Sequence, residues 1–357
     1  MKRFYVFPSV FEETSNDFAK VATNFIDGMK IQNFRNNRNY MIGNLALNEG
    51  VSPHKFLNSS PQDIDYQLLA STSLILGSQG SDNQMIITVG FPYITHPLYR
   101  DSAIQFFNGN HQVSFDTRTF GGPGIEKVSL NVKSTNVLTE IDGCIKAIRE
   151  GQFAEKENFF VCSLGYGTFE VALSTVSGVI QRTTYSVNGI HYAVNIVKTE
   201  LEKHYYLHML TQQQVERAFQ RGTFVINRHK LDVTEIRAKA LQSYYTEVIS
   251  PALRLKLSDE DFLKTSKLYL VGGGAMYKEL VDMFIDEFNG VLEVITYPEP
   301  YLCASEGYCL QSLSAMQVQN KSAEVGGGIT YVKDNVTYIG IDIGNSNTVV
   351  TVSNGTD

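Results

Sequence analysis

The residues best suited to chemistry lie near the end of the chain, in the segment from Val336 to Val352. Two β-branched runs flank Gly344-Asn345-Ser346-Asn347, which predicts a hairpin with a turn of small residues that tolerate unusual backbone angles. The backbone N–H groups of such a turn, the Ser346 hydroxyl and the amides of Asn345 and Asn347 suit the oxygens of a polyphosphate. Asp342 would repel phosphate, so its position favours a divalent cation between the two. An ordinary edge hairpin is the alternative interpretation.

A second segment, Phe159 to Leu173, follows the same plan. An apolar strand leads to Ser163, two positions before Gly165, and a tight turn that ends at Gly167 and Thr168 leads into another apolar strand. Two related phosphate hairpins predict that the chain has two related halves. In this hairpin Gly165, Gly167 and Thr168 are suited to wrap phosphate groups. Ser163 brings a hydroxyl that could bind a metal-bound water, but it brings no charge.

A third glycine turn follows the apolar strand Leu268–Val271. Gly272-Gly273-Gly274 connects that strand to a predicted helix from Ala275 to Phe288, which carries Met276 in its first turn. The spacing of the glycines matches neither the Walker pattern nor the dinucleotide fingerprint. Taken singly, such a strand, glycine run and helix is more often a tight connection than a binding site.

Together, the three glycine turns resemble those of the actin, Hsp70 and sugar-kinase superfamily. In that family, two phosphate hairpins and a glycine-rich adenosine turn hold a nucleotide between two similar domains. The resemblance implies an α/β fold of the two-domain actin-like (ribonuclease H-like) ATPase type, with ATP or GTP and Mg²⁺ in the interdomain cleft. It also implies that Asp342 lies at the metal, and that both hairpins and the adenosine turn, Met276 included, contact the nucleotide.

The order of these elements indicates a circular permutation, because the hairpin that opens the chain in the family closes it here. The N-terminal segment Arg3–Val10 resembles the third strand of the plasmid-segregation actins of the ParM type, which follows that hairpin. Gly90-Phe91-Pro92 resembles a Gly-hydrophobe-Pro signature of the same proteins. The ParM-type actins are therefore the members of the superfamily that this sequence resembles most.

The resemblance also implies the domain boundaries. Domain I is predicted at residues 1–150 and 302–357, with an inserted small subdomain at about 19–60, and domain II at residues 151–301. The Gly-rich composition that follows Asn320 is typical of a flexible linker. We expect this linker, at about 320–335, to join the old C-terminus to the old N-terminus.

A helix predicted from Val137 to Glu150 corresponds to the one that carries the water-orienting Glu or Gln of the family. Glu140 is the residue that matches it. A solvated helix-face carboxylate is the alternative, because Asp142 lies close by. Ser163 stands where the family has an aspartate, so we expect nucleotide binding without much loss and slow hydrolysis.

Two further helices are expected to reach the nucleotide. Gly189 fits a helix start that approaches the phosphates in the family. Glu216 and Gln220 lie on the helix whose counterpart supplies a charged residue to the ribose. A solvent-exposed helix face is the alternative for Glu216 and Gln220.

Composition agrees with a large globular protein. The 357 residues, 43% hydrophobic and 19% charged, are enough to bury two cores. The net charge of −7 argues against direct binding of nucleic acid as the main activity. No apolar run approaches the roughly 18 residues of a membrane span, so a cytoplasmic protein without membrane contact is expected. The four cysteines lack a close metal spacing and are expected to be reduced core thiols.

Three functions fit these observations. The favoured one is a nucleotide-dependent, filament-forming actin-like protein that slowly hydrolyses ATP and serves plasmid segregation or intracellular organisation. Its partners would be further copies of the same chain and, where DNA is moved, a DNA-binding adaptor protein. A small-molecule kinase of the same superfamily and a nucleotide-binding scaffold that does not polymerise are the alternatives.

Overall fold

The computed structural model describes residues 2–33, 36–57, 59–78, 83–205, 211–226, 228–324 and 336–355. The strands in this part of the chain are β1 (Arg3–Pro8), β2 (Val10–Glu13), β3 (Lys30–Gln32), β4 (Asn39–Ile42), β5 (His54–Lys55), β6 (Gln84–Phe91), β7 (Gly109–Asp116), β8 (Ile125–Thr139), β9 (Phe159–Leu164), β10 (Thr168–Thr175), β11 (Gly178–Asn188), β12 (Thr223–Ile226), β13 (His229–Asp232), β14 (Lys267–Val271), β15 (Glu293–Thr296), β16 (Val336–Ile343) and β17 (Asn347–Ser353). The α-helices are α1 (Asn44–Glu49), α2 (Ile64–Ser78), α3 (His96–Phe107), α4 (Glu140–Glu150), α5 (His191–Glu202), α6 (Gln212–Arg221), α7 (Thr234–Tyr244), α8 (Ser250–Lys256), α9 (Asp259–Phe262), α10 (Lys278–Glu287) and α11 (Cys303–Glu324).

The chain divides into two compact units. Unit 1 consists of Met1–Phe91, Thr95–Ala154 and Ala304–Asp357, and unit 2 consists of Pro92–Ile94 and Glu155–Cys303. Helix α11 continues to Glu324, so the first residues of the segment predicted as a linker are helical. Residues 325–335 of that segment lie outside the described residues.

Unit 1 contains a ten-stranded sheet in the order β1-β17-β16-β6-β8-β7-β3-β4-β2-β5. The C-terminal hairpin of β16 and β17 lies inside this sheet, where β17 pairs antiparallel with β1 and β16 pairs parallel with β6. Residues Val336–Ile341 of β16 are all buried, as expected for a strand covered on both faces. The first and last strands of the chain are therefore neighbours, which is what the predicted permutation requires.

The segment predicted as an inserted subdomain extends the same sheet. Residues 19–60 contain β3, β4, α1 and β5; β3 and β4 follow β7 in the sheet, and β5 lies beyond β2 at its edge. The sequence predicts an amphipathic helix from Asp63 to Leu76, whereas α2 is buried nearly all round. Its polar residues Thr72 and Ser73 can be buried because their hydroxyls donate to the carbonyls of Leu68 and Leu69, both at 2.8 Å.

Unit 2 contains a five-stranded sheet in the order β11-β10-β9-β14-β15 and a separate hairpin of β12 and β13. Side chains of β9 and β10, among them Phe160, Phe169 and Val171, pack into a core with α5, α7 and α10. The sequence predicts one long helix from Val233 to Leu253, and the structure has α7 and α8 there, joined by a π-helical turn at Tyr245–Ile249. Pro251 explains the turn, because proline has no N–H and its ring clashes with the carbonyl four residues earlier.

The structure bears on two expectations drawn from composition, the burial of the cysteines and the lack of a membrane-spanning segment. Cys144, Cys162, Cys303 and Cys309 are all buried, and burial raises the pKa of Cys309 to about 12. In the described ranges, none of the helices is both long and apolar enough to cross a membrane.

A buried carboxylate anchors β11 to α9 in unit 2. Asp261 is fully buried, and its carboxylate accepts hydrogen bonds from Nη1 and Nη2 of Arg182, at 2.7 and 2.6 Å. Lys264 donates to the same carboxylate at 2.8 Å and the Ser258 hydroxyl at 2.9 Å. These donors hold the pKa of Asp261 below its usual range.

We expect Asp261→Asn to destabilise the protein by about 2 kcal/mol near neutral pH, because Asn cannot accept the full set of charged donors. A lowered pKa stabilises the folded state above the unfolded pKa of about 4 and loses that effect as the pH falls. The difference between the variant and the wild type should therefore shrink below about pH 4 in urea unfolding. Asp259→Asn, an exposed position in the same helix, is the control and should change stability by less than about 0.5 kcal/mol.

Candidate functional site

The turn of the first hairpin is short and is held against β1. Gly344 donates its N–H to the carbonyl of Asn347 at 3.1 Å, and the Ser346 carbonyl accepts the N–H of Ser9 at 3.0 Å. A Cβ added at Gly344 would lie 2.9 Å from the carbonyl oxygen of Asn347. The glycine is therefore needed for close approach and not for a left-handed backbone, since its φ lies outside the positive range. Asn345 is buried, whereas the Asn347 side chain is exposed.

Two predicted site residues of unit 1, Asp342 and Glu140, lie close enough to interact electrostatically. Burial raises the pKa of Asp342, and the negative charge of Glu140 raises it further. Two carboxylates in such surroundings cannot both ionise without cost unless a proton or a cation compensates them. The pair could supply the protein ligands of a divalent cation.

The end of β8 determines where Glu140 lies. We predict the helix to begin at Val137, whereas β8 continues to Thr139 and α4 begins at Glu140. The Thr139 hydroxyl caps the helix by accepting the N–H of Asp142 at 3.1 Å and lies 2.7 Å from the Asp142 carboxylate. The Asp142 carboxylate is thus bound to the Thr139 cap. Glu140 is the acid of this turn whose charge acts on Asp342.

In the second hairpin, the start of α5 fixes the turn. The N–H groups of Gly189–His191 donate to the three carbonyls of Gly165–Gly167, each at 3.0 Å. The C=O and N–H of a trans peptide point in opposite directions. The N–H groups of Tyr166 and Gly167 therefore face away from α5, as an anion-binding turn requires. The turn itself is closed by the Gly165 N–H, which donates to the Thr168 carbonyl at 2.9 Å.

Gly189 contacts this hairpin directly. A Cβ added at Gly189 would lie 2.5 Å from the carbonyl oxygens of both Gly165 and Tyr166. Only glycine allows this approach. Gly189 therefore lets the start of α5 pack against the hairpin turn and hold it in place. Ser163, two positions before the turn glycine, is almost completely buried, at 1% exposure.

The third glycine turn packs on the second hairpin. Gly272 has a φ of +82° and a Cβ there would meet the backbone of Leu164 at 2.8 Å, while one at Gly274 would meet the Leu164 side chain at 2.7 Å. A Cβ at Gly273 would meet no atom within 4 Å. Gly273–Met276 forms a 3₁₀ turn, and α10 begins only at Lys278, so the predicted helix start at Ala275 is wrong. Met276 is 64% exposed.

Helix α6 brings Glu216 close to both glycine turns of unit 2. Glu216 is buried, so the alternative interpretation of an exposed helix face is wrong for this residue. Gln220 is exposed, and its side-chain amide donates a hydrogen bond to Glu216 at 3.4 Å. Burial and the charge of Glu216 raise the pKa of Tyr166, in the second hairpin, and of Tyr277, after the third glycine turn. Three separately predicted segments of unit 2 therefore meet around this carboxylate.

Sequence reasoning missed the aromatic residues of these sites. Tyr166 lies between the two hairpin glycines, and Tyr277 packs at 5.7 Å under the Arg237 guanidinium. In unit 1, burial and the charge of Asp342 raise the pKa of Tyr66, which stacks on Phe91 at 5.8 Å. A tyrosine inside a glycine turn was visible in the sequence, but the position of Tyr66 depends on how α2 packs on the sheet.

The donor set fits a magnesium ion better than a fully protein-coordinated metal. Within the described ranges there is no cluster of three or more His, Cys, Asp or Glu residues arranged to hold a metal. Mg²⁺ is commonly bound through one or two carboxylates, with phosphate and water as its other ligands. Asp342 and Glu140 match that pattern.

Comparisons with known proteins agree with the predicted fold. No protein-family model matches the sequence, and no curated protein matches it. The archaeal actin homolog Ta0583 in complex with ADP is 16% identical, with 87% of this chain and 92% of that chain covered and a TM-score of 0.63. The actin-like protein Alp7A is 18% identical over 89% and 93% of the two chains, with a TM-score of 0.65. A 15-stranded ParM filament from Clostridium botulinum is 15% identical over 86% and 92%, with a TM-score of 0.65.

These similarities establish the class of the fold. The chain has a two-domain, actin-like fold that is similar to the folds of the ParM and Alp proteins. The predicted resemblance and fold class are thereby confirmed.

Proposed function

We propose that the protein binds ATP with Mg²⁺ and that the bound nucleotide controls its assembly into filaments, which serve plasmid segregation or intracellular organisation. The observation that carries the nucleotide part is the electrostatic pairing of Asp342 and Glu140 beside a tight hairpin turn. The filament part is supported by the fold, since the similar structures include a ParM filament. A DNA-binding adaptor would be a second partner in plasmid segregation.

Each proposed role follows from the chemistry of a group. The N–H groups of Gly344 and Gly165 close their own turns, and the other N–H groups of the Gly344–Asn347 and Gly165–Thr168 turns donate to phosphate oxygens. The Gly272–Gly274 turn, with Met276, and the carboxylate of Glu216, with Gln220 beside it, contact the nucleoside. Gly189 supports the second turn, and Asn345 and Ser346 add side-chain donors to the first.

Asp342, with Glu140 beside it, would hold the magnesium ion. The ion, when bound, supplies positive charge that offsets the phosphates and the carboxylate pair. Glu140 accepts a hydrogen bond from the attacking water and orients it toward the terminal phosphate, as such residues do in phosphoryl transfer. Ser163 carries no charge, so we propose that hydrolysis is slow.

The test measures binding and assembly together. We expect a fluorescent ATP analogue to bind in the presence of Mg²⁺, and light scattering and pelleting to rise with Mg-ATP but not in EDTA. Glu140→Gln should still bind the analogue, because Asp342 remains to hold the cation, and it should form longer-lived polymer, because hydrolysis is slowed. Absence of nucleotide binding would overturn the proposal. Binding without polymer would favour a scaffold, and substrate-stimulated release of ADP would favour a kinase.

A further inference from the structure

A histidine at the start of α5 binds the turn of the second hairpin twice. The backbone N–H of His191 donates to the Tyr166 carbonyl at 3.0 Å, and Nδ1 of its ring lies 3.1 Å from the same oxygen. A carbonyl oxygen only accepts hydrogen bonds, so Nδ1 carries the ring proton in this bond. The Tyr166 carbonyl therefore accepts two donors from one residue, the backbone N–H and the imidazole Nδ1–H.

The local sequence explains why the helix start meets the turn in this way. Ile190 occupies the N-cap of α5, and its apolar side chain makes no capping hydrogen bond. The first N–H groups of a helix have no partner within the helix. Carbonyls of the hairpin turn supply the partners for Ile190 and His191. The His191 ring then lies beside the Tyr166 ring, with centroids 6.2 Å apart, which keeps Nδ1 next to the turn.

The carbonyl that accepts both donors belongs to the peptide that joins Tyr166 to Gly167. The N–H of Gly167 is part of the same peptide and points in the opposite direction, away from α5. Glycine adopts positive and negative φ with similar ease, so Gly167 by itself would allow this peptide to turn over. Two donors on the carbonyl oppose that rotation. They also polarise the peptide, because hydrogen bonds in a chain strengthen one another.

We propose that His191 is a positioning residue for phosphate binding by the second hairpin. Its Nδ1–H fixes and polarises the Tyr166–Gly167 peptide, so that the Gly167 N–H is directed at a phosphate oxygen of the nucleotide. The inference rests on the proposed function and adds a side chain that acts through the turn and does not touch the nucleotide itself. The side-chain donor at position 191 should therefore affect binding of the phosphates and not of the nucleoside.

The test removes the side-chain donor and keeps the helix start. His191→Phe retains the backbone N–H that caps α5 and an aromatic ring beside Tyr166, but its ring has no donor. We expect the Kd of a fluorescent ATP analogue with Mg²⁺ to rise about tenfold, which corresponds to the loss of about one hydrogen bond. Competition by adenosine, which has no phosphate, should be unchanged.

The conservative variant His191→Asn tests whether the donor itself matters. Asparagine places an amide N–H at the position of Nδ1, from which it can donate to the Tyr166 carbonyl. It should restore the Kd of the ATP analogue to within about threefold of the wild-type value. A role limited to packing of the ring would give the opposite order, with His191→Phe closer to the wild type than His191→Asn.

His111→Phe is the matched control, because a ring nitrogen of His111 also binds a carbonyl, that of Phe107 at 2.7 Å, but in β7 of unit 1. Its Kd for the ATP analogue should equal that of the wild type.

Three results would show that the inference is wrong while the proposed function stands. They are wild-type affinity for the ATP analogue in His191→Phe, an equal loss of adenosine binding in that variant, and a His191→Asn protein that binds no better than His191→Phe. Thermal unfolding is measured for each variant, and a His191→Phe protein that is unfolded at the assay temperature would show a structural role instead. A wild-type protein that binds no nucleotide would overturn both the inference and the proposed function.

Discussion

Asp342→Asn should weaken binding of the magnesium nucleotide on the order of a hundredfold, and it should also make the nucleotide-free protein more stable. The loss of affinity follows from removal of the carboxylate proposed to hold the cation, which is expected to exceed the effect of a supporting residue. The gain in stability follows because burial and the charge of Glu140 disfavour the ionised form of Asp342 in the folded state. One substitution is thus expected to have opposite effects on binding and folding.

The pH dependence gives the sign of the stability effect. The folded-state pKa of Asp342 is raised above the unfolded value of about 4. The folded state therefore binds this proton more tightly, and its stability falls as the pH rises from about 4 through the raised pKa. Urea unfolding between pH 5 and 8 should show this loss in the wild type and a flatter profile in Asp342→Asn. The gain at pH 8 should be at least about 1 kcal/mol, equivalent to roughly one pKa unit.

Glu140→Gln tests whether the two carboxylates act as a pair. It should also stabilise the nucleotide-free protein, because it removes the charge that opposes Asp342. The double variant should gain less stability than the sum of the single variants, since each substitution already relieves the same repulsion. Wild-type magnesium-nucleotide affinity in Asp342→Asn would show that the cation is held elsewhere in the chain.

The hairpins and the glycine turns were predictable because their signals are local. The β-branched runs around Gly344 and the apolar runs around Gly165 specify strands, and the small residues between them specify turns. The same locality explains why the C-terminal hairpin could be matched to one that opens the chain in relatives. Fold class therefore followed from short segments, even though no family model matches the sequence.

Contacts that depend on register or packing were not predictable. The opposition of Ser163 and Glu170 depends on the pairing of β9 with β10, and the burial of Glu216 depends on how α6 packs near Tyr277. The start of α4 depends on the Thr139 cap, which competes with a helical pattern that begins earlier. Each of these features determines where a carboxylate lies. The arrangement of charges in the candidate site could therefore not be predicted from the sequence and is known only from the structure.

Gly307→Ala should destabilise the protein by about 3 kcal/mol or more, because the first turn of α11 touches its neighbours through the backbone. A Cβ at Gly307 would lie 1.8 Å from the carbonyl oxygen of Gly143 in α4. One at Gly340 in β16 would lie 2.1 Å from the Ser305 carbonyl oxygen. Tyr308 fills the neighbouring space, since a Cβ at Gly90 would lie 1.8 Å from its hydroxyl oxygen. Backbone atoms cannot move aside as a flexible side chain can, so α4 and α11 would have to separate.

Gly124→Ala is the matched control, because a Cβ there would meet no atom within 4 Å and its φ is not positive. It should change the free energy of unfolding by less than about 0.5 kcal/mol. Gly143 lies three residues after Glu140, and Gly340 lies two residues before Asp342. Separation of α4 from α11 should therefore also disturb the carboxylate pair, and the folded fraction of Gly307→Ala should bind magnesium nucleotide more weakly than Gly124→Ala. Equal unfolding free energies for the two alanine variants would mean that this helix contact is looser than the backbone distances indicate.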